Sequence, residues 1–387
     1  MPTSIATAEL RTRRLRAQLL TGPRAGSVAG AAAHMGGLQA QAAPPARLAV
    51  RARTSGLTAA DVDQACAARD VTRTWVMRGT LHMVATRDVR WMTGLFGPVF
   101  ARKDRRRREQ LGLDEAFCER ALTALARILA GSPPLARAEL ISGLAAEGIR
   151  IDPRTQQAPH LLGYAASRGL ICRGPDGPGE EPTYVLLDEW APDAPALSKD
   201  EALPELARRY LGGYGPASRE DFAAWSGLPA AECTRALDLI ADDVTPVSSG
   251  GARLLALAGS SPEAPADPGD AGDPGDAGDP APRLLGHFDA YLLGYRDRRL
   301  VLDARYARRI QTGGGFVRPV VLVGGRVAGT WRLTRPTGRG RPARLTIEPF
   351  TALPAASADG LAAEAGGIGR FLGVDVTVET LAQAVET

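Results

Sequence analysis

One local pattern recurs along this chain and constrains its fold more than any single residue: apolar positions at helical spacing, followed by short β-rich runs about a tight turn. In the first occurrence Leu10, Leu15 and Leu19 predict a helix over 5–18, and Thr58 stands where a helix N-cap belongs, before Ala59-Ala60-Asp61-Val62. Two β-rich runs follow, 73–77 and 80–85, joined at Arg78-Gly79 as a hairpin. The second occurrence places helices over 135–146, closed by Gly148, and 160–168, with strands over 170–173 and 183–187. In the third, over 203–247, Ser218 and Asp221 have capping-box spacing, Trp225-Ser226-Gly227 makes a turn and 230–240 continues as a helix. From Arg283 onward the pattern changes to strands at 316–323, 326–333 and 344–347, with Gly324-Gly325 as a two-residue hairpin turn.

Helices followed by a small hairpin are the winged-helix arrangement. The expected fold is therefore α+β: three tandem winged-helix units and a β-rich C-terminal region. The expected boundaries are 1–130, 131–197, 198–260, an acidic insertion at 261–282, and 283–387. Residues 266–280 read ADPGDAGDPGDAGDP, in which Pro and Gly oppose regular structure and the aspartates repel one another, so a disordered surface segment is expected.

A chain of 387 residues, 44% hydrophobic, can bury a sizeable core. No apolar run approaches the roughly 20 residues that cross a bilayer, and no signal-peptide-like apolar stretch follows the first residues, so a cytoplasmic protein is expected, without a membrane partner. Cys66, Cys118, Cys172 and Cys233 are far apart and the four histidines are scattered. Neither disulfides, a metal site nor a cofactor is expected.

Net charge is only +4, but Lys103 and Lys199 are the only lysines among 47 basic residues. Arginine suits phosphate recognition, and a GC-rich coding bias yields the same composition, so clusters carry more weight than the total. Arg47, Arg51 and Arg53 form one cluster and 102–108 another, the latter more simply read as a solvated helix face. Setting the acidic insertion aside leaves a more basic body, which favours an anionic partner.

The chemistry centres on Gln39-Ala40-Gln41, set between Gly36-Gly37 and Pro44-Pro45. Side chains two apart share a face only if the backbone is extended, which the flanking Gly and Pro favour. Alone, such a triplet is usually two solvated amides. Its context is more specific. His34-Met35-Gly36-Gly37-Leu38-Gln39-Ala40-Gln41, Trp75-Val76-Met77-Arg78-Gly79-Thr80-Leu81-His82, residues 287–298 (HFDAYLLGYRDR) and residues 315–321 (GFVRPVV) occur in this order. In order and spacing they resemble the tandem winged-helix DNA glycosylases of the AlkZ and YcaQ type over nearly the whole chain. Gln at position 41 matches the AlkZ branch, where the YcaQ branch carries Asp.

The resemblance implies a monomeric C-shaped clamp on double-stranded DNA, with Gln39 and Gln41 as catalytic residues at its centre. It further implies an open cleft that reaches the lesion without full base flipping, bulky adducts or interstrand crosslinks as substrates, and a role in self-resistance of genotoxin producers or in base excision repair. Glutamine does not titrate near neutral pH and is a poor general base; it holds a water. Hydrolysis then relies on a leaving base that is already cationic, as in N7-alkylguanine or N3-alkyladenine, and neutral lesions such as uracil or hypoxanthine should be ignored. Arg47, Arg51, Arg53, Arg78, His82, Arg318 and Arg326 are the expected DNA-contacting residues, with the Gly324-Gly325 tip as a minor-groove probe. Asp289 is the candidate electrostatic helper, weighed against an internal ion pair with Arg296 or Arg298, and Phe288, Tyr291 and Tyr295 are read as core positions of one helix. Two other readings share much of this: a winged-helix transcription regulator, which binds without releasing bases, and a protein that sequesters a genotoxic small molecule.

Overall fold

The computed structural model describes residues 3–259, 280–335 and 342–382. The acidic segment expected to be disordered lies almost entirely outside the described residues. The fold is α+β, with helices packed on three sheets.

The first occurrence of the repeated pattern forms as read, with additions. The opening helix is Thr7–Ala17; it ends earlier than expected because Leu19 takes φ 56°, and the buried apolar residue there is Leu20. The helix Ala59–Ala67 begins in a full capping box, with Thr58 Oγ1 accepting from Asp61 N (3.3 Å) while Thr58 N donates to the Asp61 carboxylate (2.7 Å). Strands Val71–Trp75 and Leu81–Ala85 pair antiparallel, and the turn between them holds Arg78 (φ 56°) and Gly79 (φ 69°) in left-handed conformations. Two short helices escaped the pattern, Val28–His34 and Ala43–Arg51. The second contains Pro44 and Pro45 in its first turn, where proline's missing N–H costs nothing.

Three sheets organise the described residues. A six-stranded sheet runs in the order Leu38–Gln39, Leu81–Ala85, Val71–Trp75, Ile171–Arg173, Thr183–Leu186, Leu135–Ala136. Strands from either side of the expected boundary at 130 therefore share one sheet, joined through the pairing of Arg73 with Arg173. A three-stranded sheet pairs Thr3–Ser4 in parallel with Val244–Ser249, which is antiparallel to Ala252–Leu257. The third is five-stranded: Arg283–Leu285, Val320–Val323, Arg326–Thr334, Ala343–Pro349 and Val376–Thr380. Helix Ala358–Leu372, not foreseen, covers it with Leu361, Ala365 and Ile368 against Leu345 and Ile347.

The largest core joins the first and third regions of the chain. Met35, Leu38, Val76 and Met77 pack in one cluster with Tyr210, Tyr214, Phe222 and Trp225. Helix Arg219–Ser226 starts in the expected Ser218/Asp221 capping box and ends at Gly227 (φ 74°). A Cβ on Gly227 would stand 3.0 Å from Arg78 Cα, so this cap also permits the close approach of the Arg78 turn. The aromatic spacing Phe288, Tyr291, Tyr295 does not belong to one helix. Only Ala290–Leu293 is helical, Phe288 sits at φ 58°, and the rings diverge. The Tyr291 hydroxyl donates to Gly325 O and the Tyr295 hydroxyl to Tyr214 O. Among the described residues no helix is long and apolar enough to cross a membrane.

Candidate active site

Gln39 ends the edge strand of the six-stranded sheet, opposite His82, and Gln41 lies in the bend leading into helix Ala43–Arg51. The strand is placed by Gly36 (φ 61°) and Gly37 (φ 116°), which let the chain leave the preceding helix beneath Trp225 and Met77. With Ala40 buried between them, the two amides share one side and meet: Gln39 Nε2 donates to Gln41 Oε1 at 3.1 Å. Gln41 is exposed and Gln39 half-buried.

Arg78 fixes which way the amides face. Its guanidinium donates to Trp225 O at 2.6 Å and to Gln39 Oε1 at 3.2 Å. Guanidinium can only donate, so the Gln39 atom facing it is the oxygen, and its NH2 must turn toward Gln41. The relay runs from Arg78 through Gln39 to Gln41, leaving lone pairs on both amide oxygens and, among the described residues, no protein acceptor on the Gln41 N–H groups. Burial pulls the Arg78 pKa below the usual arginine value, and no carboxylate bonds to it among the described residues. Arginine nonetheless stays charged at neutral pH.

His82 lies behind this relay rather than at the surface. Its Nδ1–H donates to Thr80 O (2.9 Å), and burial, then the Arg78 charge, depress its pKa to about 3. A neutral, 2% exposed imidazole offers a phosphate nothing.

The arginine cluster after the glutamines is mostly committed internally. Arg53 is fully buried in a bidentate pair with Asp289 (2.8 and 2.9 Å) and also donates to Gln18 Oε1 (3.1 Å). This corrects two expectations: Arg53 faces no DNA, and Asp289 is paired with Arg53 rather than with Arg296 or Arg298. The Asp289 carboxylate is 1% exposed and also accepts from Tyr291 N (2.9 Å), so it is enclosed by the fold. Arg51 is held by Glu364 (2.7 Å) in a side chain 10% exposed. Arg47 is bound by both Asp63 (2.9 Å) and Glu180. Neither Arg51 nor Arg47 is a free cation.

Arg318 and Arg326 are exposed. Arg326 donates to Leu300 O at 3.3 Å. The turn beside it does not project: Gly325 is buried, and a Cβ there would meet Leu15 and Arg11 of the opening helix at 2.8 and 3.1 Å. The minor-groove probe expected of this tip is therefore corrected, since the tip is packed against the N-terminal helix. Of the basic run, Arg102 to Arg107 are exposed apart from half-buried Asp104, whereas Arg108 is buried over the Tyr164 ring at 3.9 Å.

Residues that sequence reasoning passed over gather around this centre. The Trp225 carbonyl and Gly227 hold the Arg78 turn, which the Trp225-Ser226-Gly227 turn signal alone did not connect to the glutamines. Arg78 also lines a 460 Å³ cleft with Trp75, Phe100, Lys103 and Tyr164. A larger cleft of 880 Å³ lies between helix Ala43–Arg51 and the five-stranded sheet. Among the described residues no group of three or more His, Cys, Asp or Glu is placed to hold a metal ion.

The chain is similar to known proteins over most of its length. The chain is 27% identical over 363 residues to the interstrand DNA cross-link repair glycosylase of Streptomyces sahachiroi, covering 92% of each chain. The solved structure of the Streptomyces sahachiroi DNA glycosylase AlkZ superimposes with a TM-score of 0.79 at 25% identity, over 98% of this chain and 100% of that one. The family model for AlkZ-like DNA glycosylases matches residues 32–371, a span that holds the glutamine pair, Arg78 and the Arg53–Asp289 ion pair, and the chain belongs to that family.

Proposed function

We propose that this DNA glycosylase is monofunctional and hydrolyses the N-glycosidic bond of cationic alkylated purines, N7-alkylguanine and N3-alkyladenine, with bulky adducts and interstrand crosslinks among its substrates. Gln39 and Gln41 are its catalytic residues. The observation that carries this reading is the Arg78–Gln39–Gln41 relay, in which neither glutamine hydrogen bonds to a carboxylate among the described residues.

Such a site has no general base to deprotonate a water and no anion to neutralise a sugar cation. It suits a substrate that needs neither. When the C1′–N9 bond of a cationic purine breaks, the bonding pair goes to the base, which leaves neutral. Positive charge passes to the sugar as an oxocarbenium. A water donating to the amide oxygens of Gln39 and Gln41 keeps a lone pair for C1′, and its proton is lost to solvent after the C–O bond forms. Arg78 acts by holding the amides in this orientation. The name of the Streptomyces relative supports extension to crosslinks.

For DNA engagement we propose three winged-helix units, 1–130, 131–197 and 198–260, and a C-terminal region from 283, arranged as a monomeric C-shaped clamp in self-resistance or base excision repair. The helix and hairpin pairs at 59–85 and 137–186 support the first two, and the helices and hairpin over 199–257 the third. Arg318 and Arg326, exposed, are the remaining candidates for phosphate contact.

The test is release of N7-methylguanine from duplex DNA, read by alkaline cleavage at the abasic product. Gln39→Ala and Gln41→Ala should abolish cutting while DNA affinity stays within a few-fold, and uracil or hypoxanthine should not be released. Full-rate release by the double variant would refute the assignment, and so would equal loss of binding. A protein that only binds DNA would leave the lesion in place.

A further inference from the structure

The 880 Å³ cleft between helix Ala43–Arg51 and the five-stranded sheet has no part in the chemistry above. Pro44, Leu48, His287, Phe316, Arg318 and Arg335 are among its lining residues. Pro44 is three residues beyond Gln41, so their Cα atoms are within about 11 Å however the chain bends. One lining residue of the cleft is thus within about 11 Å of the glutamine segment along the backbone, although the glutamines themselves do not line it.

Its walls have a definite chemistry. Phe316 is 41% exposed, one of the few large apolar side chains left so open, and it is not loose: its ring lies edge-on to Phe288 (5.2 Å between centroids) and tilted on His287 (4.9 Å). His287 in turn donates from Nδ1 to Val317 O (3.1 Å), and burial lowers its pKa, so at neutral pH it is an uncharged aromatic surface. Arg318 has no carboxylate partner among the described residues, and Arg335 has none there either, whereas Arg47 and Arg332 of the same cleft are paired with Glu180 and Glu348. Four arginines against two glutamates leave the lining net positive. Planar rings and guanidinium faces together recognise flat aromatic groups, and the net charge disfavours a cationic one. The volume is that of a site for a drug-sized molecule.

We propose that this cleft is an adduct subsite: it receives a planar aromatic substituent, neutral or anionic, carried by the purine on which Gln39 and Gln41 act. The inference rests on the glycosylase reading above and deepens it, by assigning the place where a bulky lesion puts its bulk. A methyl lesion has nothing to put there. Contacts in the cleft thus set the preference between large and small adducts rather than the hydrolysis itself.

The test compares kcat/KM for duplexes carrying N7-benzylguanine or N7-methylguanine, with wild type, Phe316→Ala, Phe316→Trp and Arg318→Ala. Phe316→Ala should lower the benzyl-to-methyl ratio about tenfold, in the range expected when one apolar contact is lost. Arg318→Ala should lower it less, and Phe316→Trp should keep it. Phe316 is an exposed ring, so its replacement spares the core. A ratio unmoved by Phe316→Ala, with methylguanine still released by that variant, overturns the subsite alone. Wild type that releases neither base refutes the underlying glycosylase reading and the subsite with it.

Discussion

Asp289→Asn separates a structural carboxylate from a catalytic one. Asp289 and Arg53 are 1% and 0% exposed, bonded through both carboxylate oxygens at 2.8 and 2.9 Å, with Gln18 taking a further guanidinium N–H at 3.1 Å. Asparagine keeps the shape and one acceptor but removes the charge, leaving a guanidinium enclosed without an anion. Removing one partner of a buried ion pair costs roughly 3–5 kcal/mol, because the remaining charge has already lost its hydration. Urea denaturation should therefore show the variant destabilised by about that amount. Replacing both residues, Arg53→Met with Asp289→Leu, should recover most of the loss, since no charge is then buried. Glycosylase activity of the folded Asp289→Asn protein should stay within a few-fold of wild type. Should its stability move by less than about 1 kcal/mol while base release falls about 100-fold, Asp289 would be stabilising charge in the reaction, and the reasoning from burial would be wrong.

Two further outcomes follow from the same site. His82 is neutral in the folded protein down to about pH 3 and titrates near 6.5 when unfolded, so the unfolded chain binds more protons in between; stability should fall as pH drops below 6.5, by at most about 1.4 kcal/mol per pH unit from this group, until about pH 3. His82→Gln should flatten that part of an acid-denaturation profile, and an unchanged slope would show that other groups govern it. Gly227→Ala places a methyl 3.0 Å from Arg78 Cα at φ 74°, so it should cost about 1–3 kcal/mol and depress base release by displacing the turn that orients Gln39; thermal denaturation and single-turnover release check the two effects, and normal release would argue against Arg78 as the orienting group.

What the chain determines locally was readable in advance. The N-cap at Thr58, the capping box at Ser218, the turns at Arg78-Gly79 and Gly324-Gly325, and the extended backbone of Gln39 depend on residues within a few positions of one another, and these formed. Local pattern failed where a strong competing contact lay far away. Phe288, Tyr291 and Tyr295 have helical spacing, yet the segment is only one helical turn long; a Cβ at Gly294 would meet the Tyr214 ring at 2.4 Å, so it is the distant tyrosine that requires glycine there.

The same distinction divides the site. That two uncharged amides sit side by side without an adjacent acid is written in three consecutive residues, because extended backbone alone brings their side chains together. Which cations stay free for a ligand is a property of the folded chain. Arg47, Arg51 and Arg53 look alike in sequence, and each is taken up by a carboxylate more than 130 residues away, Glu180, Glu364 and Asp289 in turn, with the nearer Asp63 also on Arg47, whereas none of these reaches Arg318. Charge type is a property of a residue, whereas its availability depends on what else the tertiary structure puts within hydrogen-bonding distance and out of water.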